Sequence, residues 1–330
     1  MAVTMAEITK LRHLTSAGLM DCKKALAETN GDIEAAVEIL RKKGQAVAAK
    51  REDRQASEGC VLAKNEGDFA AIVALNCETD FVAKNAGFVE LTKKILDAAV
   101  ANRVKSLDEL KALSIDGLTI ADLVIEESGK TGEKTEISAY EYIEAPATNS
   151  YNHLGNKLST IVGFNIENVD NQVGRDVAMQ VASMNPVAVS RDTVPASVIE
   201  SEKTVAIEKT KEEQVKKAVE AALKKAGINP NLVDTPDHVE SNIAKGWLTR
   251  EEADKAAVIA KETAEAKAAN LPEQMIQNIA TGRLNKFFKE STLLEQEFIK
   301  DPELTIEKYL AKAQDGLTVV AFKRVNLNED

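Results

Sequence analysis

Few side chains in this sequence are equipped for chemistry. There are three cysteines, Cys22, Cys60 and Cys77, and three histidines, His13, His153 and His238. The cysteine count is odd and no CxxC pair occurs, so neither a disulfide framework nor a cysteine zinc site is expected. Each cysteine reads as a small buried side chain. Cys77 with His153 is the least implausible nucleophilic pair, yet it needs a long-range proximity that no spacing supports. Gly129-Lys130-Thr131 imitates the end of a phosphate-binding loop. Such a loop requires a glycine five residues earlier, whose backbone helps to cradle phosphate, and that position is Val124. A helical pattern, not a strand, precedes it, so Gly129 reads as a helix stop. No HExxH, EF-hand loop or GxGxxG occurs. The remaining candidate is non-covalent. In Thr79-Asp80-Phe81-Val82 a carboxylate stands beside an aromatic ring where a β-branched run gives way to a helical pattern. Thr79 and Asp80 are N-cap residue types, and Phe88, Leu91, Ile95, Leu96 and Ala99 repeat at helical spacing behind them. Periodicity leaves two readings open: a capped helix whose Phe81 packs into its own core, or an exposed acidic-aromatic tip that enters a partner.

The elements that must position this stretch are legible on both sides. Cys60–Ala63 and Phe69–Leu75 flank Asn65-Glu66-Gly67-Asp68, which predicts a β-hairpin whose second strand is apolar on both faces and therefore central. A helix to about Ala101 follows, then short helices near 107–113 and 120–128, the last with a Thr119/Asp122 capping box. A strand covers about 134–144. Residues 145–155, with Tyr151-Asn152-His153, read as a polar connection. Then come a strand over 158–166 and a helix that stops by Asn185-Pro186. The two strand–strand–helix halves form a paired α+β core.

The flanks differ in style. Residues 1–44 read as three short helices, broken at Thr15-Ser16-Ala17-Gly18 and at Asn30-Gly31, with Ile8, Leu11 and Leu14 on the first and Gly44 ending the third. A core that thin suits a docking module rather than a catalytic body. Residues 45–58 read as a solvated helical linker. From 195 to 270, Lys, Glu and Ala dominate, with thin apolar stripes. This predicts an antiparallel, coiled-coil-like helical hairpin, with Trp247 as a local anchor in its loop. Pro272 starts another helix, and a strand near 293–299, a helix capped by Thr305 and a strand over 317–325 complete the chain. At 330 residues, 44% hydrophobic and 4% aromatic, the chain has room for two or three domains. The net charge of -11 disfavours nucleic acid or an anionic membrane as the main partner. No apolar run of membrane-spanning length and no leader pattern occurs, so a cytoplasmic protein is expected. The balance argues against an enzyme and for a binding protein, with no cofactor expected.

Several motifs, in order, resemble one family. The segment from Leu11 to Gly44 is similar over nearly its whole length to the ubiquitin-associated-like domain of the bacterial elongation factor Ts family, and Asn76-Cys77-Glu78-Thr79-Asp80-Phe81-Val82-Ala83-Lys84 is similar to that family's NCxTDFVAK signature. Tyr151-Asn152-His153, Val177–Ala182 and Gly282–Phe287 are later matches. The resemblance implies an α+β fold with a three-helix module at 1–55, a core of 56–145 and 146–194 with 271–304, a helical insertion at 195–270 and a C-terminal module at 305–330. It implies nucleotide exchange on elongation factor Tu, in its GDP-bound and nucleotide-free forms. Thr79, Asp80, Phe81 and Val82 would displace magnesium from the partner's site, and Leu19, Met20 and His153 would contact the partner. The insertion, which mediates dimer formation in some members, is longer here than is typical of the family and is the expected homodimer element. The alternative from the residues alone is a helical interaction scaffold or chaperone-like binding protein.

Overall fold

Apolar residues three and four apart fold the N-terminal segment into α1 (Met5–Thr15), α2 (Leu19–Glu28) and α3 (Ile33–Lys50). The computed structural model describes residues 3–15 and 17–329; Ser16, within the break expected between the first two helices, lies outside them. Ile8, Leu11, Cys22, Ala25, Leu26 and Ala36 form the small core. Leu14, expected on the same face, is 62% exposed. Asn30 and Gly31 turn with positive φ, and Asp32 caps α3 by accepting the Ala35 N–H at 3.1 Å. Gly44 does not end this helix, which continues to Lys50.

The hairpin is β1 (Glu58–Glu66) and β2 (Phe69–Cys77), followed by the single turn α4 (Asp80–Ala83) and by α5 (Ala86–Ala101). The expected continuous helix is thus split, and Asn85 caps the longer part through Gly87 N–H at 2.8 Å. Next come α6 (Leu107–Ala112), the short strands β3 (Ser114–Ile115) and β4 (Leu118–Thr119), α7 (Ile120–Thr131) and β5 (Glu136–Glu144). The first sheet is antiparallel in the order β1-β2-β5, with β2 buried along its whole length. Its alternation serves two cores. Phe69, Ala71, Val73, Leu75 and Cys77 pack with Phe88, Ile95, Leu96 and Ala99 of α5. Ala70, Ile72 and Ala74 pack with Ile143 and Ile161 on the other face.

Gly129 is not a helix stop. It lies inside α7, where a Cβ would come 2.4 Å from the Cα of Gly44. The two glycines let α3 and α7 cross with backbones nearly touching, which explains why both helices run through them. The stop is Gly132, whose φ of 75° only glycine adopts without strain and whose N–H reaches Ser128 O at 2.9 Å.

The second sheet adds β6 (Ala147–Asn152) and β7 (Leu158–Phe164), followed by α8 (Asn171–Met184). The reading of 145–155 as a connection is therefore wrong over β6. That strand hides from hydrophobic pattern because its inward groups are polar and satisfied. The Asn152 amide accepts the Ala63 N–H at 2.6 Å and donates to Ala63 O at 2.9 Å, standing in for a strand backbone beside β1.

The chain divides into two compact units, Met1–Val189 with Gln296–Asp330, and Ser190–Glu295. The second unit holds α9 (Ala196–Lys225), α10 (Pro236–Ala244), α11 (Arg250–Ala269) and α12 (Glu273–Ser291). Leu223, Ile228 and Ala256 form the seam of α9 with α11, and Arg283 of α12 pairs with Glu213 of α9 at 2.7 Å. The expected two-helix hairpin is thus elaborated by α10 and α12. Trp247, expected as a local anchor, is 64% exposed, with Lys245 Nζ 5.0 Å from its ring. Back in the first unit, the expected strand at 293–299 is only the pair Glu297–Phe298, β8, hydrogen-bonded to β9 (Asp301–Thr305). Then come α13 (Ile306–Ala313), capped by Thr305, and β10 (Val319–Asn326), which completes a sheet ordered β10-β7-β6. Asp176 of α8, buried, is satisfied by Lys300 Nζ at 2.7 Å, Gln172 Nε2 at 2.7 Å and Tyr309 OH at 3.0 Å, tying the β8–β9 hairpin and α13 to α8.

Candidate functional site

The stretch between β2 and α5 places its aromatic ring outward. Phe81 is 84% exposed, while its neighbour Ala83 is buried in the core under the sheet. A core role for Phe81 is thereby excluded. Thr79 is extended and its Oγ1 accepts the Val82 N–H at 3.4 Å, capping the single turn that carries Asp80 and Phe81. Asp80 accepts from Lys84 Nζ at 2.6 Å, one turn on. That hydrogen bond, with the Lys84 and more distant Lys157 charges, holds the Asp80 carboxyl below its usual range.

The base of this turn is fixed by groups remote in sequence. Glu133 Oε2 accepts the backbone N–H groups of Glu78 at 3.1 Å and Thr79 at 3.0 Å, and its Oε1 accepts the Thr79 hydroxyl at 2.7 Å. In return, the Glu78 carboxylate accepts the Lys134 N–H at 2.6 Å and Arg51 Nη1 at 2.8 Å. These contacts, the backbone bond first, hold Glu78 below the ordinary carboxylate range. Cys77 Sγ donates to Thr79 O at 3.2 Å. Burial, with the Glu133 and Glu58 carboxylates nearby, pushes this thiol up to about 12, which removes Cys77 as a nucleophile near neutral pH. Among the described residues no group of three or more His, Cys, Asp or Glu side chains is placed to hold a metal ion.

Comparison with known proteins bears on this architecture. The family model for elongation factor Ts matches residues 78–250 and 214–329, the first match beginning at the base of the exposed turn. The chain is 60% identical to an elongation factor Ts from Phocaeicola vulgatus and 59% identical to one from Bacteroides thetaiotaomicron, in each case over the full length of both chains. It is 46% identical, again over both full lengths, to an elongation factor Ts from Porphyromonas gingivalis. The chain belongs to the elongation factor Ts family.

Within this elongation factor Ts fold, the other expected contact residues are all at the surface. Leu19 and Met20, in the first turn of α2, are 42% and 60% exposed, so neither is core. His153 is exposed in the β6–β7 turn, with its Nδ1 3.0 Å from the Tyr151 hydroxyl, and Arg175 lies 5.5 Å from the Tyr151 ring centroid. That turn is joined to β1, its Asn156 O accepting the Val61 N–H at 2.7 Å. Its Lys157 pairs with Glu58 at 2.8 Å, and the Lys157 charge reaches Asp80 while the Glu58 charge reaches Lys84. Cys77 and His153, by contrast, form no hydrogen-bonded pair. Sequence reasoning missed two residues here. Leu154, beside His153, is 91% exposed, an apolar residue at a turn that sequence alone gives no reason to notice. Glu133 lies more than fifty positions from Thr79, and nothing local marks it.

Proposed function

We propose that this protein releases GDP from elongation factor Tu by inserting the Thr79–Val82 turn beside the nucleotide. Family membership makes it a nucleotide exchange factor of translation elongation. The observation that carries the site assignment is Phe81, a large apolar ring held 84% in solvent on a turn whose base is pinned by hydrogen bonds. Burying such a ring against a partner removes apolar surface from water, which favours docking at this turn.

In a GTPase, GDP is held by a phosphate-binding loop and a Mg²⁺ clamp. The Phe81 ring displaces the elements that carry the metal-holding side chains. Asp80, an anion at neutral pH, perturbs the charge balance around phosphate and metal. Neither step makes or breaks a covalent bond. Exchange is then negative coupling: the factor binds the nucleotide-free partner more tightly than the GDP form, and lowers GDP affinity by the same factor. A thousandfold weakening corresponds to about 4 kcal/mol. Docking supplies it, through Leu19 and Met20 on a ubiquitin-associated-like three-helix module and through His153 of the β6–β7 turn. Stopped-flow release of labelled GDP tests the assignment. Phe81→Ala is expected to slow release by about thirtyfold or more, the loss of an anchor contributing ~2 kcal/mol. Wild-type release by that variant refutes the role given to Phe81.

A further inference from the structure

The β2–β5 ladder ends at the Asn76–Glu136 pair, and the backbone bonds of α4 begin with Ala83 N–H to Thr79 O. The Glu78 and Thr79 N–H groups fall between the two and belong to neither. An unpaired backbone donor in a half-buried position is costly, and a segment with two of them has no fixed conformation of its own. One carboxylate, that of Glu133, takes both N–H groups and the Thr79 hydroxyl as well. Bonds to an ionised acceptor are roughly twice as strong as neutral ones. Glu133 can reach them because the left-handed Gly132 turns the chain out of α7 immediately before it. The adjoining Lys134 N–H bonds Glu78 in the reverse sense, so the two segments clamp each other.

We infer that Glu133 is a positioning residue for nucleotide exchange: by fixing Thr79 it holds α4 in the one orientation that presents Phe81 and Asp80 to the partner. The inference rests on the reading of Thr79–Val82 as the exchange element. A wedge on a loose base spends binding energy on its own ordering, whereas a wedge on a fixed base transmits it.

The test is stopped-flow release of labelled GDP from elongation factor Tu, followed against the concentration of the full-length chain. It compares wild type, Glu133→Ala, Glu133→Gln, Phe81→Ala and the Phe81→Ala/Glu133→Ala double variant. Glu133→Ala is expected to lower the maximal release rate by about tenfold to a hundredfold, as a misplacement on the order of 1 Å does, with the half-saturating concentration within about twofold of wild type. Glu133→Gln keeps a carbonyl for the two N–H groups and restores most of the rate. On the Phe81→Ala background, Glu133→Ala slows release by a clearly smaller factor than in the wild type, because of the two groups it positions only Asp80 remains. In the free protein, Glu133→Ala accelerates hydrogen exchange at the Glu78 and Thr79 amides and leaves the middle of β2 unchanged. Should Glu133→Ala not fold, Thr79→Val, which replaces the hydroxyl by a methyl group, is expected to lower the maximal rate, and to lower it by a smaller factor on the Phe81→Ala background. A wild-type maximal rate for Glu133→Ala overturns the inference while Phe81→Ala remains slow. Equal slowing on both backgrounds also overturns it. Wild-type release by Phe81→Ala instead overturns the exchange-element reading, and the inference with it.

Discussion

Phe81 and Trp247 are aromatic rings in water, and each makes a prediction at its own position. A buried phenylalanine cut to alanine costs about 3–5 kcal/mol. With Phe81 84% exposed and Ala83 carrying the core contact of the same turn, Phe81→Ala is expected to change unfolding free energy by less than about 0.5 kcal/mol. Chemical denaturation of the variant measures this directly, and separates a lost function from a lost fold. Trp247 is the sole tryptophan and 64% exposed. Its emission in the folded protein should resemble that of indole in water, be quenched readily by acrylamide, and shift little on unfolding. A blue-shifted, protected emission would mean that this residue is covered in solution.

At the scale of elements, α3 and α7 cross with their backbones in close approach. Gly129→Ala puts a methyl group 2.4 Å from the Gly44 Cα, where only a shift of backbone makes room. Forced overpacking of this kind costs about 1–3 kcal/mol. Because alanine favours helix over glycine by about 1 kcal/mol, a net drop of up to about 2 kcal/mol is expected in a urea titration. A raised midpoint would show that the helices separate at less cost than alanine gains in the helix. This crossing also marks where sequence reading gives out. Both glycines are visible as helix breakers, and both are inside helices, because their use is set by a neighbour about eighty positions away that no local window contains. The hairpin β1–β2 and its central second strand are legible because alternation and a run apolar on both faces report burial directly. Strand β6 is not, because Thr148, Asn149 and Asn152 are satisfied by hydrogen bonds rather than by apolar contact. The same division holds at the site. Thr79 announces a cap, and the Phe81 motif is legible as a motif, whereas the split at Asn85, whether the ring is buried, and which carboxylate holds its base follow only from three dimensions.

For the whole molecule, charge sets the response to acid. Asp68, Glu78 and Glu144 are held below ordinary carboxylate values, Asp68 and Glu144 chiefly by side-chain bonds from Arg103 and Lys105 and Glu78 by the Lys134 N–H. A carboxylate whose folded value is depressed contributes stability above its unfolded value, about 4, and loses it as pH falls through the folded one. Glu126, raised by burial against Arg41, works in the opposite sense, but such groups are outnumbered. Thermal midpoints should therefore be flat above about pH 5 and fall below about pH 4. A midpoint that rises on acidification would contradict the ion pairing described. Each exposed pair contributes little, so the fall should be gradual and should be softened by salt.

The order of strands in the second sheet has a consequence for how this chain is made. Its central strand, β7, pairs with β6 across a short turn but also with β10, in the register Ile161 to Lys323. On a ribosome, β10 emerges roughly 160 residues after β7, on the order of 10–30 s later at ~5–20 residues per second. Throughout that interval one edge of β7, with Ile161, Val162 and Phe164 destined for the interior, has no strand to pair with. The helices of Ser190–Glu295 are synthesised within it and form a compact unit of their own, so they can fold while the sheet waits. The nascent chain is thus most exposed to mispairing in the seconds before its last strand arrives.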